Sequence, residues 1–454
     1  MTTEKSTAVG PFGRLLTRIA PIEVREIPAV ITAMGLFFCM FAGYFAVRPV
    51  RETIGTILGR ETVANLYLVT LLGALAIVPI YGWLVGRVRR SVLLPCVYGF
   101  IALSLAIVGV AFLTGEPSRG LGMFFYVFIS VLNLFFVSVF WSFLLELFHS
   151  GQVKRLFGII AAGGTAGALA GPLLTDTIVM RVGNGVVLLI GAALFVAAIA
   201  FQRHLIVIWR GEAPSPASGD ANVTGASGVR GDRAIGGNPF AGFVQVFTSP
   251  YLLGIAAFVF LLASVSTFLY FEQLRLVEIS YPDVTERTRI FARIDWIVQS
   301  LTIAAQLFIT GRIASRLGLV VLLTIVPVAM IFGFLALASS GTFAVLAVVF
   351  VLRRAGEYAF VRPGREMLFS RLDTETKYKA KNLIDVPIYR AADAVTAQFQ
   401  KLFESAGLTA MVVALIGAVV AVLWSIMGWW LGKRHDKGSD TEPVVPSGLE
   451  AKKV

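Results

Sequence analysis

Charge is what this chain of 454 residues has least of: 15% Asp, Glu, Lys and Arg against 57% hydrophobic residues, where a soluble domain carries about a quarter charged residues. That scarcity excludes a soluble enzyme and puts the lipid bilayer in the place of water. Cysteine is nearly absent too. Cys39 and Cys96 both lie inside apolar runs, which excludes a disulfide framework or thiolate metal site and reads them as small core residues. The three histidines, His149, His204 and His435, sit at the ends of apolar runs or in a tail, and no His-Glu-x-x-His occurs. No metal, no cofactor and no enzyme activity are expected. The net charge of +12 is spread in short clusters between apolar runs, the pattern of cytoplasmic loops and not of a surface for a nucleic acid polymer. A small-residue cleavage site is missing after the first apolar run, so that run is expected to remain in the mature protein.

Long apolar runs are what the chain has in abundance. Stretches able to cross about 30 Å of hydrocarbon fall near 28–57, 62–86, 91–113, 121–148, 156–178 and 184–208, then near 251–274, 288–310, 318–338, 342–369, 382–402 and 408–431. These are called spans 1 to 12 in order. Between the sets, a Gly, Ala, Ser and Pro-rich stretch cannot bury a core and reads as a flexible linker. The expected fold is all-α and polytopic, with about twelve transmembrane helices. Its parts are an N-terminal segment 1–27, a six-helix bundle 28–208, a linker 209–240, a second bundle 241–431 and a tail 432–454. Lys and Arg clusters alternate with poorer loops, which predicts both termini in the cytoplasm, with the loop around Arg287, Arg289 and Arg293 as the exception. The predicted setting is the bacterial inner (cell) membrane, as a monomer in contact with lipid.

Charges inside spans carry the functional signal. Span 10 holds Arg353, Arg354, Glu357, Arg362, Arg365 and Glu366, and each deeply placed charge costs about 2.5–3.5 kcal/mol against lipid. Its polar face therefore looks into protein or a water-filled cavity. Pairing within the helix, Arg353 with Glu357 and Arg362 with Glu366, is the plainer reading; it leaves Arg354 and Arg365 over. Span 11 carries Asp385, Tyr389, Arg390 and Asp393, and the four-residue recurrence of Asp385, Tyr389 and Asp393 predicts one cavity-lining face. In span 8, Asp295, Gln299 and Gln306 are polar; in span 4, Asn133, Ser138 and Ser142 precede Glu146. Gly163, Gly167 and Gly171 in span 5 recur every four residues, a stripe for close helix packing. It is no phosphate loop, lacking the Gly-Lys-Ser/Thr ending. Guanidinium suits phosphate or carboxylate, so the arginine excess points to a small anionic substrate. The carboxylates would keep the vacant path near neutral or take a coupling proton, and Tyr44, Tyr67, Tyr126 and Tyr389 would offer stacking surfaces.

The halves repeat one another. Gly82 and Arg87 after span 2 match Gly311 and Arg316 after span 8 in spacing, and the run from Val131 aligns without a gap on the run from Val351, setting Glu146 opposite Glu366. Parallel duplication of six helices resembles the major facilitator fold. The two loops, with Arg90 completing the first, are similar to that family's Gly-x-Leu-x-Asp-Arg-x-Gly-Arg-Arg loop, with Gly86 and Ser315 at the Asp position. By resemblance they are gate loops.

A narrower resemblance lies in "RPGREMLFSRLDTETKYKAKNLIDVPIYR". It is similar to the signature of the ATP/ADP translocases, Pro-x-Lys-Glu-Met followed by Lys-x-Lys-x-Lys-x-x-Ile-Asp-Val, at Pro363, Arg365, Glu366 and Met367, then Lys377, Lys379, Lys381, Ile384, Asp385 and Val386. Tyr44, Arg48, Arg51 and Glu52 resemble the family's span 1 pattern, and Phe140, Trp141, Phe143, Glu146, Lys154 and Arg155 its span 4 pattern. Asp393 stands where the family has Lys. The resemblance implies a secondary transporter of an organic, phosphorylated anion working by alternating access, with ATP/ADP-type exchange as one form. Substrate contacts are expected from Arg353, Arg354, Arg390, Asp385, Arg48, Arg51, Arg362, Arg365 and Lys381; charge balance or coupling from Glu52, Glu146, Glu357, Glu366, Asp393 and Asp295. A transporter of an unrelated solute, or a receptor or scaffold that keeps the fold, is the alternative. Arg48 to Glu52 is expected toward the outer mouth of the path and Arg362 to Glu366 toward the cytoplasmic mouth.

Overall fold

A computed structural model describes residues 22–88, 90–115, 118–148, 150–210, 241–372 and 374–437. The predicted linker core, most of the N-terminal segment and the end of the tail lie outside the described residues. Apolar runs dictate the elements, because backbone N–H and C=O groups in lipid must be satisfied within the segment. The helices are α1 Ile27–Leu58, α2 Arg60–Arg87, α3 Arg90–Thr114, α4 Arg119–Leu147, α5 Ser150–Arg210, α6 Ala241–Thr248, α7 Pro250–Ser280 and α8 Val284–Ala305. The second half continues with α9 Gly311–Arg316, α10 Gly318–Ser340, α11 Phe343–Gly356, α12 Arg362–Leu368, α13 Thr374–Leu383, α14 Tyr389–Ser405 and α15 Ala410–Lys437. The described residues contain no strand; the chain is an all-α polytopic membrane protein.

Nine helices among the described residues are long and apolar enough to cross a membrane. One of them, α5, holds spans 5 and 6, because Gly183 (φ 77°, ψ 170°) breaks it in a region of backbone space that L side chains avoid. Spans 10 and 11 are missing from those nine because their charge is too high. They run instead as α11 and α12, and as α13 and α14, each pair joined through a π turn, Glu357–Val361 and Ile384–Ile388. A third π turn, Gln306–Thr310, joins α8 to α9. Widening to a π turn frees backbone carbonyls, and here side chains take them up. Gln306 Nε2 donates to the Tyr358 carbonyl at 3.2 Å and Thr310 Oγ1 to that of Ala359 at 3.0 Å.

The described chain falls into two compact units, residues 22–210 with Val277–Gln299, and residues 241–276 with Ser300–437. The end of α7 and most of α8 pack with the first unit, held by the hydroxyl pair Thr53 and Thr288 (2.7 Å) and by Arg287 Nη1 donating to Thr56 (3.0 Å). In the first unit α1 packs against α5 along the glycine stripe. A Cβ at Gly163, Gly167 or Gly171 would stand 2.4, 2.4 and 2.5 Å from the carbonyl oxygens of Met34, Phe38 and Ala42, and Thr175, four residues on, donates to the Ala46 carbonyl at 2.9 Å. The corresponding helices of the second unit, α7 and α14, meet through polar side chains instead. Ser264 pairs with Thr396 (2.9 Å) and Thr267 with Asp393 (2.9 Å). Cys39 is buried as expected, whereas Cys96 is exposed, since α3 turns that face away from its neighbours.

Candidate substrate site

In the second unit three helices converge on a buried polar core. Arg353 on α11, 6% exposed, donates through Nη1 to Glu357 Oε2 (2.8 Å) and to Ser266 Oγ on α7 (2.5 Å). Its Nε is buried and makes no hydrogen bond. Glu357, equally buried, also faces Arg362 Nε at 3.5 Å. Arg354 is 4% exposed, and both arginines approach the Phe350 ring, at 5.7 and 5.5 Å. On α14, Asp393 accepts from Thr267 Oγ1 (2.9 Å) and Arg390 Nη1 (3.2 Å). Arg353 and Arg362 thus lie against the buried Glu357 and Arg390 against the buried Asp393, with Ser266 of α7 holding Arg353 and Thr267 of α7 donating to Asp393.

The remaining charges of these spans form a second layer. Arg365 Nη2 lies 3.3 Å from Asp385 Oδ1, Lys381 is bonded to Glu366, and Arg362, half-exposed, stacks on the Tyr358 ring at 4.3 Å. The expected pair Arg353 with Glu357 is present. Arg362 with Glu366 is not, because the π turn at Glu357–Val361 changes the register and turns Arg362 back to Glu357. The π turn at Ile384–Ile388 likewise sends Asp385 to Arg365, away from the Asp393 pair, so the shared face expected for Asp385 and Asp393 is split.

The first unit holds its own cluster. Arg51 is bonded to Glu52, donates to Ser130 Oγ at 3.1 Å and lies 5.3 Å from the centre of the Tyr126 ring. Arg48 faces Glu52 at 3.6 Å and Asp295 on α8 at 3.8 Å, so the arginines expected as substrate contacts sit against the carboxylates expected to balance them. Asp176 on α5 was not legible as a site residue. It gathers Arg289 (3.4 Å), Arg293 (3.2 Å) and the indole N–H of Trp296 (2.9 Å). We expect Asp176→Ala to lower stability by about 1 kcal/mol, since its arginines stay half-solvated. Thermal unfolding followed by tryptophan fluorescence checks this.

Other expected residues fall elsewhere. Glu146 is exposed at the end of α4, and Arg87, Gly311 and Arg316 are exposed. The side chains of Arg90, Asn133, Lys154, Lys377 and Lys379, and the surroundings of Gly82, lie outside the described residues. The hydroxyls Ser264, Ser266 and Thr267 were missed; three in four residues of an otherwise apolar run are the signal that could have found them. Among the described residues no group of His, Cys, Asp and Glu could hold a metal ion.

Nine helices of membrane-crossing length beside spans that bury charge mark an integral membrane protein, and its family makes it a transporter of a small solute, not an enzyme. The chain belongs to the Major Facilitator Superfamily, whose profile matches residues 33–367. It is similar to "ADP,ATP carrier protein 1" of Chlamydia muridarum (strain MoPn / Nigg), 22% identical over 93% of this chain and 90% of that protein. Among solved structures it resembles the nucleoside transporter NupG, with a TM-score of 0.60 at 15% identity over 90% of this chain and 98% of that one. A bacterial homolog of the human lysosomal transporter Spinster, inward-facing and unoccupied, gives 0.58 at 12% identity over 91% and 98%. These structural likenesses show the fold alone.

Proposed function

We propose that this transporter moves an organic, phosphorylated anion by alternating access, and that nucleotide exchange of the ATP/ADP kind is its specific form. The observation that carries this reading is Arg353: a buried guanidinium with one edge held by Ser266 and Glu357 and its Nε left without a hydrogen bond. A guanidinium held on one side is pre-organised to receive phosphate oxygens on the other. Across spans 10 and 11, Arg353, Arg354, Arg362, Arg365, Arg390 and Lys401 outnumber Glu357, Glu366, Asp385 and Asp393, which favours an anion over a cation or a neutral solute. Arg353, Arg354 and Arg390 are the substrate contacts in this reading, and Glu357 and Asp393 keep the site near neutral between substrates. The similarity to a carrier whose name specifies ADP and ATP supports the nucleotide assignment. The distribution of Lys and Arg supports cytoplasmic termini in a bacterial inner membrane; the unit of function is the monomer.

Purified protein in proteoliposomes loaded with unlabelled ADP is expected to take up labelled ATP and ADP saturably, and much less in unloaded vesicles. Uptake of a sugar phosphate in place of nucleotide keeps the anion class and removes the nucleotide. Flux confined to uncharged solutes rejects both.

A further inference from the structure

The basic loop that opens α8 is the exception to the alternation of Lys and Arg clusters, and its three arginines are used unequally. Arg287 is saturated within the fold. Its Nε donates to the Tyr281 carbonyl at 2.7 Å, its Nη1 to Thr56 at 3.0 Å, and its Nη2 to the carbonyls of Glu278 and Pro282 at 3.4 Å each. Arg293 chelates Asp176, Nε on Oδ2 at 3.3 Å and Nη2 on Oδ1 at 3.2 Å, and the Trp296 indole N–H donates to Oδ2 at 2.9 Å. These three donors satisfy the buried carboxylate. Arg289 is then surplus. It reaches Asp176 Oδ1 through Nε at 3.4 Å, and that nitrogen is buried and makes no hydrogen bond. The Nη groups at its tip make none with any described residue, and the side chains of Arg289 and Arg293 are 43% and 42% exposed. Among the described residues neither Asp283 nor Glu286 pairs with Arg289; Asp283 Oδ1 accepts the Glu286 N–H at 2.7 Å as a helix cap. Arg289 and Arg293 therefore stand one turn apart on α8, where like charges repel, and one carboxylate offsets only one of them.

We infer that Arg289 and Arg293 form a clamp for the phosphate group of a soluble anion, with Asp176 as the residue that positions the two guanidiniums. The carboxylate holds both from the protein side and leaves Nη donors of each at the solvent edge, which suits a tetrahedral dianion able to accept from two forks at once. Such an anion offsets the surplus charge and removes the repulsion between the arginines. The clamp belongs to the first unit and Arg353 to the second, so it is a site beyond the substrate core and does not rest on nucleotide transport. Inorganic phosphate and the phosphates of a nucleotide carry the same group, and the experiment separates them.

Labelling of arginines in the full chain in detergent with phenylglyoxal, read residue by residue by peptide mass spectrometry, tests this. At matched low ionic strength, inorganic phosphate is expected to slow the labelling of Arg289 and Arg293 together, whereas chloride slows neither and the exposed Arg119 labels at one rate throughout. In Arg289→Gln, Arg293 and Trp296 still hold Asp176. The phosphate concentration that half-protects Arg293 is expected to rise there about tenfold, the effect of losing a hydrogen bond to a charged group. ATP protecting both arginines at lower concentration than inorganic phosphate assigns the clamp to the nucleotide, and equal protection assigns it to phosphate itself; either result supports the clamp. A chain that shows this protection but moves no nucleotide refutes the transport reading alone. Arginines left unprotected in the native chain, protection shared by chloride or by Arg119, or Arg293 protected equally well in Arg289→Gln overturns the proposal. Protection by phosphatidylglycerol where soluble phosphate gives none places a lipid headgroup at these arginines and overturns it as well.

Discussion

Arg353→Ala is expected to abolish transport, with flux in proteoliposomes falling at least about 100-fold, the loss of two charge-assisted hydrogen bonds of about 1.5 kcal/mol each or more. The same change strands Glu357, which loses its closest cation (2.8 Å) and keeps only Arg362 at 3.5 Å. Breaking a buried pair from one side costs about 3–5 kcal/mol, so Arg353→Ala is also expected to unfold at lower temperature. Loss of flux alone would therefore be ambiguous. Arg353→Ala combined with Glu357→Gln separates the two effects, because the amide needs no counter-ion and can still accept from a neighbour. That double variant is expected to regain most of the thermal stability and none of the flux. Recovery of flux along with stability would mean that Arg353 serves only to neutralise Glu357, and the substrate assignment would fall.

The position of Arg353, held by Glu357 and Ser266 with a buried Nε that makes no hydrogen bond, marks how far the site could be read from residues alone. Its pairing with Glu357 follows from four-residue spacing on a helix, and the cost of charge in lipid required that the pair face inward. The extents of the apolar spans were equally accessible, because hydropathy acts locally. What escaped were features set by a neighbour. The π turn at Glu357–Val361 is held from outside by Gln306 and Thr310, residues about fifty positions away, and no local pattern announces it. Once present, it turns Arg362 toward Glu357 and leaves Glu366 to Lys381, cancelling the pair that simple spacing favours. Asp176 shows the same limit: its meaning lies in Arg289, Arg293 and Trp296, more than a hundred residues on. Those contacts also draw Val277–Gln299 into the first unit.

Where local pattern and tertiary contact agree, substitution should be least forgiving, and Gly167→Ala is expected to be the most damaging single methyl group in the first unit. Its Cβ would lie 2.4 Å from the Phe38 carbonyl oxygen and 3.0 Å from the Ala42 backbone nitrogen. Both are backbone atoms of α1, so no side chain can rotate aside. Gly163 and Gly171 hold the same two helices one turn to either side at 2.4 and 2.5 Å, so α1 cannot retreat at the middle without giving up packing at both ends. Overpacking typically costs about 1–3 kcal/mol, and with a rigid partner the upper part of that range or more is expected, since close approach of small residues is a main source of helix association in lipid. Gly158 on the same helix is the matched control. It has nothing within 4 Å of its Cβ position, and alanine there is expected to leave stability unchanged or raise it by about 0.5–1 kcal/mol through reduced backbone freedom. Thermal unfolding in one detergent reads both. Equal midpoints for Gly167→Ala and Gly158→Ala would show that α1 and α5 do not meet as closely as the glycine stripe requires.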